Sequence, residues 1–120
     1  MQRQFRLTRS ADFERLRAEG RAWRHPFLTL SVAPNALAYN RFGFITSRKL
    51  GGAVVRNRVR RLLREAVRLS LPHMRVGFDI VLIARNEIVG QPYNKISAVL
   101  EEQLKRANLW QSGVSEEAKQ

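Results

Sequence analysis

The chain has no cysteine among its 120 residues, which excludes disulfides and thiolate metal sites and leaves its redox compartment unmarked. Histidine is almost as scarce. His25 stands before Pro26 and His73 just after Pro72, neither with a partner at ligand or triad spacing, so both read as boundary residues. Acids are few: Asp12 and Glu14 fall on opposite sides of a helical turn, and Glu101 with Glu102 decorate a surface, so no paired-carboxylate metal site is visible. The stretch RFGF lacks the glycine spacing of a dinucleotide loop. No apolar run approaches the ~20 residues of a membrane helix, and the opening MQRQFRLTRS has no apolar core of the secretory kind, so a cytoplasmic protein is expected.

Positive charge is abundant. Lys and Arg number 22 against 10 Asp and Glu, for a net charge of +12, and 18 of the cations are arginine. Residues 1–68 hold sixteen cations and four anions, whereas residues 69–120 hold six of each. All the net charge therefore sits in the first part. A basic surface confined to one region is the footprint of a polyanion partner, because each neutralised phosphate releases condensed counterions. Arginine suits that partner, since its planar fork donates bidentately and stays charged.

The chain shows no internal repeat and no interdomain linker, so residues 1–110 are expected to form one domain, with 111–120 a polar, disordered tail. Thr8 or Ser10 can cap a first helix, SADFERLRAEG, with Phe13 and Leu16 on one face and Gly20 ending it. Phe27 to Val32 reads as a strand that Pro26 begins or bulges, and after the turn APNALAYN the run RFGFIT reads as its antiparallel hairpin partner. AVVRNRVRRLLREAVRLSL is the strongest helix, its stripe read as Val55, Val59, Leu62, Ala66 and Leu69. GFDIVLIA is a strand buried on both faces, and Pro92 begins a last helix with Ile96, Val99, Leu100, Leu104 and Ala107 inward. The order α-β-β-α-β-α describes an α+β fold.

On the long helix Arg56, Arg60, Arg64 and Arg68 recur at i+4, and Arg61 shares their sector. Like charges at that spacing repel by a few tenths of a kcal/mol per pair, ~0.2–0.5, and Glu65 is the one acid in the run. A phosphate backbone would offset the repulsion. Asn57 beside Arg58 adds an amide able to bond a ribose hydroxyl or a base edge. Upstream, Arg48 and Lys49 precede Gly51 and Gly52, which either let the backbone approach a phosphate or simply make the strand-to-helix turn.

The run SRKLGGAVVRNRVRRLLREAVR closely resembles the signature of the bacterial ribonuclease P protein subunit, with its Arg-Asn-Arg core opening a basic helix. The resemblance extends to F-x-L near the start, ADFERLRAEG, RFGFITSRK and DIVLIAR, covering residues 5–107. It implies a single-domain α-β sandwich with a left-handed βαβ crossover, against the general rule of handedness. It further implies a non-catalytic RNA-binding subunit of an endoribonuclease that removes 5′ leaders from precursor tRNA. The partners would be a catalytic RNA subunit, which holds the Mg²⁺ ions, and precursor tRNA, with no cofactor of the protein's own, no membrane and no obligate protein partner. The family's leader-binding cleft, between the first helix and the sheet, maps onto Phe13, Arg17 and Leu30, the latter two standing where rings are common. Phe13 can equally be a core residue packing the helix on the sheet. The competing class is a ribosome-associated RNA binder of the same fold; a major-groove DNA helix is disfavoured, with no helix-turn-helix partner or dimer seam in view.

Overall fold

The computed structural model describes residues 5–7 and 10–111. Thr8, one of the two candidate caps, and residues 112–120 of the expected tail lie outside the described residues. Among the described residues three helices and four strands follow in the order α1 (Ser10–Glu19), β1 (Arg21–Arg24), β2 (Leu28–Pro34), β3 (Arg41–Ile45), α2 (Ala53–Ser70), β4 (Phe78–Ala84) and α3 (Tyr93–Arg106). Short 3₁₀ turns at Arg48–Leu50, Leu71–His73 and Asn86–Ile88 lead into or out of the main elements.

The sheet order is β1-β2-β4-β3. β4 thus sits between the two strands that the sequence suggests as a hairpin: β2 pairs with it antiparallel, from Leu28↔Ala84 to Pro34↔Phe78, and β3 pairs with it parallel, from Arg41↔Asp79 to Ile45↔Ile83. The expected β2–β3 pairing is corrected accordingly. A connection as long as APNALAYN can step across an intervening strand, where a tight two-residue turn would have forced adjacency. The true hairpin is β1–β2, in register Arg21↔Val32 to Arg24↔Thr29, a strand more than the sequence pattern suggests. Pro26 lies in its turn, where the His25 N–H donates to the Leu28 carbonyl at 3.0 Å and the His25 Nδ1 accepts from Phe27 N–H at 2.9 Å.

Side-chain alternation along β2 and β4 builds a three-layer sandwich. Leu28, Leu30, Val32, Ile80 and Leu82 point to one face, where Val59, Leu63, Ala66 and Val67 of α2 and Ile96, Leu100 and Leu104 of α3 complete the main core. Ala33 and Val81 point to the other face, under Leu7, Leu16 and Phe13. α3 buries Ile96, Val99, Leu100 and Leu104 of the expected stripe, while Ala107 caps the helix half-buried. It also buries Gln103, whose Nε2 donates to the carbonyls of Trp23 and Leu28 at 2.9 and 3.0 Å, tying the first hairpin to the last helix. On α2 the stripe differs from the expected one. Val59, Leu63, Ala66, Val67 and Ser70 are buried, while Leu62 is half-buried and Leu69 is 51% exposed. The helix is turned by about 60° from the expected seating. Both apolar rows satisfy the helical period, and packing against β4 and α3 selects the one through Leu63 and Val67.

Candidate nucleic-acid interface

The rotation of α2 changes what the arginine ridge is. A row of i+4 residues winds obliquely around a helix, so Arg56 and Arg60 start half-buried beside the sheet, and Arg64 and Arg68 end exposed. Arg60 is fixed: its Nη2 donates to Thr46 Oγ1 and its Nη1 to Asn57 Oδ1 at 3.0 Å. Arg64 carries its guanidinium 5.7 Å above the centre of the Phe44 ring, in a recess that Arg6 and Gly43 also line. Burial, then the charges of Arg6 and Arg60, lower the Arg64 pKa from its ordinary value. A bound anion would offset both the burial and the neighbouring charges. Arg68 is different. It grips Glu65 through two bonds, of 3.0 and 2.6 Å, so part of its charge is already met. Asn57, Arg58 and Arg61 are exposed, Arg58 on the opposite flank of the helix from the ridge.

Before α2, Arg48 and Lys49 are exposed on the 3₁₀ turn. Gly51 has φ +138°, a conformation rarely open to other residues, and an added Cβ would come within 3.2 Å of the Val55 side chain. The turn itself therefore requires this glycine. Gly52 caps α2 in extended conformation, with open space where a Cβ would stand.

A separate recess, about 130 Å³, lies on the opposite face between α1 and the sheet. Phe13, Leu16 and Arg17 form its helical wall; Ser31, Ile45, Val81 and Ile83 come from the strands. Phe13 is half-buried, packed on Leu7, Leu16, Ala33 and Val81, and Gly43 leaves room for its ring. It is thus at once a packing residue and a wall of the recess. Arg17 is exposed at the rim, with no ion pair among the described residues. Leu30 is corrected: it is fully buried on the α2–α3 side, because its neighbour Ser31 takes the recess-facing position in the alternation of β2. β3 serves both sites, with Phe44 under Arg64 on one side and Gly43 and Ile45 towards the recess on the other.

The family model described as Ribonuclease P matches residues 1–108. The chain belongs to the ribonuclease P protein family. It is 43% identical over 117 residues to the ribonuclease P protein component of Roseiflexus castenholzii, covering 97% of this chain and 96% of that one. It is 44% identical over 110 residues to that of Chloroflexus aurantiacus, covering 91% and 82%. Among solved structures, the Staphylococcus aureus RNase P protein superposes with a TM-score of 0.81 at 30% identity, covering 88% of this chain and 97% of that one. The Thermotoga maritima RNase P protein gives 0.78 at 30% identity, covering 84% and 96%. The mixed sandwich is therefore the ribonuclease P protein fold.

Within this ribonuclease P family member, sequence pattern does not reveal Ser31, Ile45, Val81 and Ile83, which complete the recess. Strand alternation is the available signal, but it needs the correct register of β2 and β4. Equally hidden is a polar cluster around Asp79, on the face of β4 that also carries Val81 and Ile83. The Asp79 side chain is completely buried, and Arg41 holds it bidentately, Nε to Oδ1 at 2.8 Å and Nη2 to Oδ2 at 2.7 Å. Asn35 donates to Oδ1 at 3.0 Å, and Arg15 reaches Oδ2 from α1. Burial alone would raise the Asp79 pKa; the hydrogen bonds from Arg41 and Asn35 and the charges of Arg41 and Arg15 outweigh it and hold the pKa below the ordinary value. Among the described residues no three His, Cys, Asp or Glu side chains gather as a metal site, and no helix is long and apolar enough to cross a membrane. His73 stacks on Trp110 at 4.7 Å between ring centres.

Proposed function

We propose that this chain is the protein subunit of a ribonuclease P holoenzyme. It binds the catalytic RNA subunit through the α2 ridge and the Arg48–Lys49 turn, and it receives the single-stranded 5′ leader of precursor tRNA in the recess under α1. The observation that carries this reading is the position of β3. One edge strand is a wall of both sites, so an RNA anchored along Arg56, Arg60 and Arg64 can pass a single strand around that edge towards Phe13 and Arg17. Guanidiniums suit the backbone, and a half-buried ring beside an exposed guanidinium suits a stacked base. Hydrolysis of the leader phosphodiester would fall to the RNA subunit and its Mg²⁺ ions. The protein would contribute binding and orientation, in the cytoplasm where precursor tRNA is processed.

The test is reconstitution. Added to a bacterial ribonuclease P RNA, the protein should lower the Mg²⁺ concentration needed to cleave precursor tRNA, and rigorously RNA-free protein should not cleave at all. A ribosome-associated RNA binder would leave the Mg²⁺ requirement unchanged, and cleavage by protein alone would overturn the subunit assignment.

A further inference from the structure

α1 is one wall of the recess, yet little apolar surface fastens it. Leu16 is its one buried side chain, and Phe13 is only half-buried. The remaining attachments are polar. Arg15 donates through Nη1 to the Pro34 carbonyl at 2.9 Å and through Nη2 to the Asp79 carboxylate, and Asp12 meets Nη2 of Arg41 at 3.4 Å. Asp79 lies on the same face of β4 as Val81 and Ile83, which line the recess, and continues that row one step beyond it. Arg41 grips it from β3, two residues before the Gly43 against which the Phe13 ring lies. Both walls are therefore tied to a single carboxylate.

We infer that Asp79, with Arg15 and Arg41, is a positioning group that sets the separation of α1 from β3 and so determines where Phe13 and Arg17 stand over the leader. The inference rests on the reading of the recess as the leader site. A carboxylate with no exposure must have its partners in place, because a lone buried charge is strongly disfavoured. The geometry of the ion pairs is thereby imposed on the helix. A guanidinium fork bonded at two points fixes direction as well as distance, which a loosely packed apolar contact does not. Arg15 lies between Phe13 and Arg17 in sequence, so any swing of α1 about its anchor moves both.

The absence of cysteine makes the test direct. Spin labels at Ala18→Cys on α1 and Ala98→Cys on α3, both exposed positions, report the placement of α1 on the full chain. With Arg15→Ala the distance distribution should broaden or shift while the circular dichroism of the fold persists. The reconstituted holoenzyme should lose about tenfold in its preference for precursor over mature tRNA, the scale of one stacked base, with affinity for the RNA subunit unchanged. Arg15→Lys, which keeps the charge but loses the two-nitrogen fork, should restore only part of both. An unmoved, narrow distribution, or complete recovery of distances and selectivity by Arg15→Lys, would overturn the proposal. If the wild-type holoenzyme has no preference for precursor tRNA, the leader reading fails. The label distances alone then decide whether the carboxylate sets the recess.

Discussion

Replacing Phe13 by alanine separates the two roles that its position gives it. A fully buried phenylalanine costs about 3–5 kcal/mol when truncated to alanine. Phe13 is half-buried on Leu7, Leu16, Ala33 and Val81, so about half of that, roughly 2 kcal/mol, is expected as a loss of folding stability. For a chain of this size that corresponds to a melting-temperature drop of about 8 °C. Its exposed half predicts a second loss. If a leader base stacks on the ring, affinity for precursor tRNA falls by about 1–3 kcal/mol, whereas mature tRNA, which has no leader, keeps its affinity. Both are measured on one protein: thermal unfolding of the free subunit, and equilibrium binding of precursor and mature tRNA to the reconstituted holoenzyme well below the melting temperature. A lowered melting temperature with an unchanged ratio of the two affinities would refute a leader role for Phe13 and leave it a packing residue.

Arg56→Ala, Arg60→Ala and Arg64→Ala combined should weaken binding to the RNA subunit and flatten its log–log salt dependence by about one unit for each phosphate no longer held; helicity should survive, since alanine is the better helix former, and an unchanged slope would place the ridge away from RNA. Gly43→Ala should displace the Phe13 ring, because the new Cβ would stand 3.0 Å from Cε1 and 3.1 Å from Cζ; the expected result is reduced precursor selectivity, and a variant with wild-type selectivity would show that the ring's exact seat is unimportant. Asp79 has a folded pKa below its unfolded value of about 3.9, so its contribution to stability is complete above that pH and is lost as pH falls through the folded pKa. Urea midpoints followed from pH 6 to pH 2 should show this acid limb, and an Asp79→Asn variant that is already weakened at neutral pH should lack it; an identical limb in both would assign it elsewhere.

Much of this molecule is legible in its sequence. The Arg-Asn-Arg helix and the last helix carry a long periodic signal and DIVLIA a continuous β-branched apolar run, and local chemistry decides that these are two helices and a strand. The features that escape such a reading are all non-local. Whether β2 pairs with β3 or with β4 depends on which strand lies between them, and nothing within residues 27–46 records that. The seating of α2 depends on whether Leu62 or Leu63 meets the sheet, and both fit one helical face. The family resemblance carries Leu30 to the recess, and one step of strand alternation puts Ser31 there instead. Asp79 reads in sequence as one acid in an apolar run; its partners, Arg15 and Arg41, are 64 and 38 residues away.

The placement of β4 between β2 and β3 also orders events in time. The inner edges of β2 and β3 have no partner until residues 78–84 have been made, and the first hairpin waits longer still for Gln103. A chain growing from its N-terminus therefore exposes the whole of its surplus positive charge before the strand that organises it exists. Folding of the sheet is deferred until β4 has been made, and a truncation that removes β4 takes away the pairing partner of both flanking strands at once.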